Sequence, residues 1–130
     1  KDYTVVRTIL AVNEEDNSMT FAGDMPEGFV AQLMRGNIDH LVEGAAQAAR
    51  EAKPEGVNGD QVALLVSCIG RKLLMGQHIS DEIEAVRTIM GEQPKLIGFY
   101  SYGEISPHAA SGFCELHNQT MAITTLSESA

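Results

Sequence analysis

The order of apolar and polar positions changes repeatedly along this chain, and each change marks an element. Tyr3 to Val12 is rich in β-branched residues, Asn13 to Ser18 is polar, and Met19-Thr20-Phe21-Ala22 is again strand-like. Together they predict a β-hairpin. Phe29 to Met34 is a further short apolar run between Gly28 and Gly36. A helix through it would carry Gly36 in its interior at a cost of about 1 kcal/mol, so a third strand is predicted. The N-terminal third reads as a three-strand meander.

The period then lengthens. Asn37 suits an N-cap, because its side chain can accept a free backbone N–H of the first turn, and Asp39 suits the positive end of the helix dipole. Ile38, Leu41, Val42, Ala45, Ala49 and Ala52 recur at helical spacing up to Lys53-Pro54-Glu55-Gly56, and their small side chains imply close packing on a sheet. Val62 to Val66 is a continuous apolar run of strand length, expected to be central and to meet little solvent on either face. A second helix is predicted from the stripe Ile79, Ile83, Val86 and Met90, ending near Gly91 with Pro94 beyond. Leu96 to Tyr100 resumes strand character.

Strand, helix and strand in that order require a right-handed crossover and two parallel strands whose C-terminal ends share one edge. The loops Cys68-Ile69-Gly70-Arg71 and Tyr102-Gly103-Glu104 are thereby brought together, at the place where parallel sheets offer a ligand crevice. After the turn-rich Ser106 to Gly112, the segment Phe113 to Leu126 is predicted to return antiparallel. A turn centred near Ala109 sets Ser101 opposite His117 and Glu104 opposite Cys114. The expected fold is α+β: a mixed sheet of about six strands covered by two helices, in which a three-strand meander, a strand-helix-strand crossover and a C-terminal hairpin follow one another.

Composition narrows the function. Residues 1–130 have the size of one domain with one core. The lack of an initiator Met and the start within a strand-like run give the expectation of a fragment of a longer protein. Eighteen acidic against nine basic side chains give a net charge of -9, and no basic run faces a phosphate backbone or an anionic membrane. Neither nucleic acid nor membrane is an expected partner. No stretch approaches the ~20 apolar residues of a membrane span and no signal peptide is evident, so a cytoplasmic location is expected.

Cys68 and Cys114 are too few for a disulfide scaffold and are expected to be free, buried among strand residues. His40, His78 and His108 show no metal-ligand spacing, and no glycine pattern completes a phosphate or dinucleotide loop. No metal and no cofactor is expected. The six methionines read as core or loop filling. Glu14-Glu15-Asp16 and Asp81-Glu82-Ile83-Glu84 read as solvated surface.

Three ordered blocks, Ser67 to Arg71, Gly98 to Ile105 and Leu116 to Met121, resemble in order and spacing the C-terminal domain of the FIST family of F-box and intracellular signal transduction proteins. Phe21 to Gly28 and Leu33-Met34-Arg35 are similar to it as well. The resemblance implies a sensory domain for small ligands, amino acids among them. It also implies an N-terminal half and a signalling module as partners elsewhere in the same protein. It transfers no catalytic residue.

Gly70 and Arg71 stand where a strand hands over to a helix, so backbone N–H groups and a guanidinium could hold a carboxylate; alternatively, Arg71 pairs with a structural acid. Tyr102, Gly103 and Glu104 offer an aromatic edge, a permissive backbone and a carboxylate that suits an ammonium group or Arg71 itself. His117 is the candidate pocket-facing residue of the last segment, and Asn118, on the opposite face of the strand, a loop anchor. The expected ligand site is therefore Cys68, Gly70, Arg71, Tyr102, Gly103, Glu104 and His117, for an amino acid or small carboxylate. One alternative is a protein-interaction domain, including a homodimer, with no metabolite. Another is a cysteine-dependent hydrolase built on Cys68 and His117 with Asn118 or Glu104 orienting the ring, for which residue type speaks but geometry does not.

Overall fold

The polar run Asn13 to Ser18 is a turn held by its own side chains: Asn13 Oδ1 accepts from Glu15 N at 3.0 Å and Asp16 Oδ1 from Ser18 N at 3.1 Å. It joins β1 (Ile9–Asn13) to β2 (Ser18–Phe21) as the antiparallel hairpin that the pattern predicts. The structure is a computed structural model, which describes residues 4–57, 59–108 and 111–128. The third strand predicted over Phe29 to Met34 does not form. A turn in which Phe29 N donates to Pro26 O at 3.3 Å, with Gly28 at φ 84, redirects the chain after the hairpin. Strand propensity without an edge to pair with does not make a strand. Phe29, Val30, Leu33 and Met34 are consequently exposed.

α1 (Ile38–Ala52) starts at the predicted cap, with Asn37 Oδ1 accepting from Asp39 N at 2.8 Å, and stops before Pro54, which cannot continue it. β3 (Gln61–Cys68) follows and passes directly into a short helix, α2 (Ile69–Met75), then a 3-10 turn (Gly76–His78) and α3 (Ile79–Met90). Gly91 at φ 82 ends α3 by donating its N–H to Arg87 O at 2.8 Å, the left-handed cap glycine allows. β4 (Lys95–Ser101), β5 (Glu104–Pro107), β6 (Cys114–His117) and β7 (Met121–Ser127) complete the chain.

β3 is central, as expected: β4 lies parallel on one side of it and β7 antiparallel on the other. The class is α+β with seven strands among the described residues. They divide into the β1-β2 hairpin, this three-stranded mixed sheet and a β5-β6 ladder, rather than joining one sheet. Ala45 and Ala49 of α1 and Val86 and Met90 of α3 close on Ala63, Leu65 and Met121 to form the core. Because side chains alternate along β3, Val62, Leu64 and Val66 point to the other face. That face is more open than the apolar run implied, with Val62, Ile97, Phe99 and Leu126 exposed.

Of the methionines, Met75, Met90 and Met121 are buried, while Met19, Met25 and Met34 are exposed, which corrects the core reading for the N-terminal three. No described helix is long and apolar enough to cross a membrane.

Candidate functional site

Parallel pairing sets Cys68 beside Ser101, and the chain re-enters a strand at Glu104. From the other side Thr120 O accepts the Cys68 N–H at 3.0 Å. Cys68, Ser101, Glu104 and Thr120 thus meet at the C-terminal end of β3 and β4, where the crossover argument placed a crevice. The hairpin register differs from expectation. Glu104 lies opposite His117, and Cys114 opposite Pro107, because the turn is longer than a tight hairpin and closes between His108 and Phe113 (His108 N to Phe113 O, 3.0 Å). The predicted turn centre, Ala109, lies outside the described residues. The expected single strand also breaks: Gln119 adopts φ 59, and β7 leaves β6 to pair with β3.

Alternation sends neighbouring side chains at this end to opposite faces of the sheet. Ser67 and Tyr100 point to the helices and Cys68 and Ser101 away from them. On the helix side stands an ion pair. Arg71 Nε and Nη2 donate to Glu82 Oε2 at 3.0 and 2.9 Å, with Arg71 3% and Glu82 0% exposed. Glu82 Oε1 accepts from Ser67 Oγ at 3.2 Å and from Tyr100 Oη at 2.9 Å. Burial, and then the bond to Glu82, push the Tyr100 hydroxyl up to about 12. Arg71 also donates to Leu41 O at 2.7 Å and Gln119 O at 3.3 Å, so four bonds engage a group with five N–H donors. It clamps α1, α3 and the β6–β7 corner together. Its acid is Glu82, not Glu104.

On the other side stands Glu104, 2% exposed. Its Oε1 accepts from Ser101 Oγ at 2.5 Å, while its buried Oε2 has no hydrogen-bond partner among the described residues. Burial raises the pKa of this carboxyl above its ordinary value, and Ser101, Cys68, the Thr120 backbone and the Arg71 charge act in the other direction without cancelling the rise. Buried polar atoms are ordinarily satisfied. An unpaired carboxyl oxygen at a strand end is therefore the chemical feature of this site.

The remaining sequence candidates fall around it unequally. Gly70 permits the close approach of the Gln119 side-chain amide, which a Cβ would overlap. Tyr102 is exposed and Gly103 packs near Leu116 and Asn118. His117 is opposite Glu104 in register, but its Nε2 meets Ser106 O at 3.1 Å and its ring stacks on His108 with centroids 5.7 Å apart; a carbonyl only accepts, so Nε2 carries the proton. Asn118 anchors the corner, its Oδ1 accepting from Thr8 N at 3.1 Å and its Nδ2 donating to His117 O at 3.0 Å. Both cysteines are free; Cys68 is buried and Cys114 exposed, contrary to the expectation that both are buried. Cys68 has the Glu104 carboxyl for its polar neighbour.

Two cavities adjoin the sheet. One of about 240 Å³ lies beside Ser67, Glu82, Gly98 and Tyr100 on the helix side. The other, of about 480 Å³, is at the far end, bordered by Lys53, Gln61, Met90 and Pro94. Neither is lined by Glu104. Among the described residues, no group of three or more His, Cys, Asp or Glu is placed to hold a metal ion.

Glu82 is buried where the sequence pattern predicts a solvated acid. Its signal was position: it follows Ile79 by three and precedes Val86 by four, within the buried stripe of α3. The same holds for Ser67 and Tyr100, which alternate onto the helix side of β3 and β4.

The family model of the FIST C domain matches residues 1–107. The match covers the β3-α2-α3-β4 crossover and Glu104, while the block Leu116 to Met121 lies beyond it. Neither a curated protein nor a solved structure matches the chain.

Proposed function

Since the chain belongs to the FIST C domain family and so to a domain related to signal transduction, we propose that it is a sensory domain. It binds a small polar ligand at the C-terminal end of β3 and β4 and passes the bound state to the signalling part of its protein. The observation that carries this reading is Glu104, a buried carboxyl with one oxygen unpartnered at the edge where open parallel sheets place ligands. Ser101, Cys68, Gly103 and the Thr120 backbone frame it. Arg71 ties α1, α3 and the β6–β7 corner together, and its charge acts on Glu104, which links the site to the helices.

Calorimetric titration of wild type and Glu104→Gln with amino acids and small organic acids tests the proposal. At least one ligand is expected to bind wild type, and the variant to bind it roughly tenfold or more weakly, the scale of a hydrogen bond to a charged group. Ligands that bind both proteins equally would overturn the assignment to this site.

A second reading, an interaction or dimerisation domain without a metabolite, draws support from the open sheet face, where Ile97, Phe99 and Leu126 are 58–64% exposed. Concentration-dependent association in sedimentation velocity, lost in Phe99→Asp, would favour it.

A further inference from the structure

Resting on the small-ligand reading above, we infer that the group recognised at this end of the sheet is a protonated amine and that a carboxylate is rejected. The argument is a census of donors and acceptors. Arg71, the cation that sequence assigns to an anionic ligand, has four bonds to Glu82, Leu41 O and Gln119 O. Ser101 Oγ is given to Glu104, Thr120 Oγ1 to Asn118 O, Asn118 Nδ2 to His117 O, and Gln119 Nε2 to Thr8 Oγ1. Each of these donor groups already has at least one acceptor.

What is left over is of the opposite kind. Among the described residues, the buried side-chain atoms without a partner are Glu104 Oε2 and Gln119 Oε1, both acceptors. They flank one turn: Glu104 borders Cys68 and the Thr120 backbone, and the Gln119 amide lies against Gly70. An ammonium group carries three donors and no acceptor, and brings the positive charge that a buried carboxylate requires. A carboxylate would set two further acceptors against these two, and the nearby guanidinium of Arg71 is already paired with Glu82.

Two probes separate the ends of a small zwitterion: glycinamide, which has the amine without the carboxylate, and N-acetylglycine, which has the carboxylate without the amine. Glycinamide is expected to raise the melting temperature and to bind by calorimetry, with affinity falling roughly tenfold or more in Glu104→Gln and partly retained in Glu104→Asp. N-acetylglycine is expected to do neither. Binding of N-acetylglycine without glycinamide would overturn the amine inference while leaving the small-ligand reading standing, and so would a shift produced by potassium chloride alone. If neither probe nor any free amino acid or organic acid binds wild type, both fall. Circular dichroism is the check that the variants are folded, and the comparison of the two probes on wild type holds even if they are not.

Discussion

Arg71 Nη2 and Glu82 Oε2 stand 2.9 Å apart with side chains 3% and 0% exposed, so the two charges are balanced where water cannot reach them. Breaking such a pair strands the other charge. Glu82→Ala is expected to cost about 3–5 kcal/mol, seen as a lower urea midpoint at an unchanged slope. Arg71→Ala should cost a similar amount, since it also releases Leu41 O and Gln119 O. The joint replacement Arg71→Met with Glu82→Leu should lose less than either single change. An Arg71→Ala protein as stable as wild type would show that the pair is not structural.

Tyr100 reports on the same network. Its hydroxyl is pushed up to about 12 by burial and by Glu82. A phenol whose folded pKa is raised contributes stability that is complete below the ordinary tyrosine value of 10.0 and lost as pH rises through about 12. Ultraviolet titration should therefore show a tyrosine step at about pH 12. In Tyr100→Phe that step should vanish, with a loss of about 1.5–3 kcal/mol for the hydrogen bond to a charged acceptor.

Glu104 gives a pH dependence at the acid end. Its folded pKa lies above the ordinary 4.5 because of burial, so the folded state holds the proton more tightly than the unfolded one. Its contribution is complete below the ordinary value and is lost as pH rises through the raised one. Glu104→Gln keeps the neutral shape. In thermal melts without ligand, the variant should match wild type near about pH 4 and exceed it near about pH 8; a variant less stable at the higher pH would contradict the assignment.

These relations show what was legible from sequence and what was not. The Asn37 cap, the two helices α1 and α3 and the parallel pairing of β3 with β4 follow from local chemistry and period, and all are present; the predicted α3 stripe holds at Val86 and Met90, but Ile83 is exposed and Glu82 is buried in its place. The meeting of Cys68 with Glu104 followed from topology. The partner of Arg71 did not: choosing between Glu82 and Glu104 depends on alternation across Ser67 and Cys68 and on how α3 is rotated over the sheet. Phe29 to Met34 misled because its composition suits a strand, whereas a strand exists only beside an edge it can reach. The break at Gln119 lacked a signal, since a positive φ there falls on a residue other than glycine.

That break has its own test. Gly70→Ala would drive a methyl into the Gln119 amide and is expected to cost about 1–3 kcal/mol. Adding Gln119→Gly removes the obstructing side chain and suits φ 59, while keeping the backbone carbonyl that Arg71 uses. The double variant should regain most of the loss in a denaturant titration.

The placement of the ligand at the C-terminal end of β3 and β4 is tested most directly by backbone amide shifts in a heteronuclear NMR titration with glycinamide. The largest saturable changes are expected at Cys68, Ser101, Glu104 and Thr120. Changes centred instead on Lys53, Gln61 and Met90, around the cavity at the far end of the sheet, or on Ile97 and Phe99 of the open face, would contradict it.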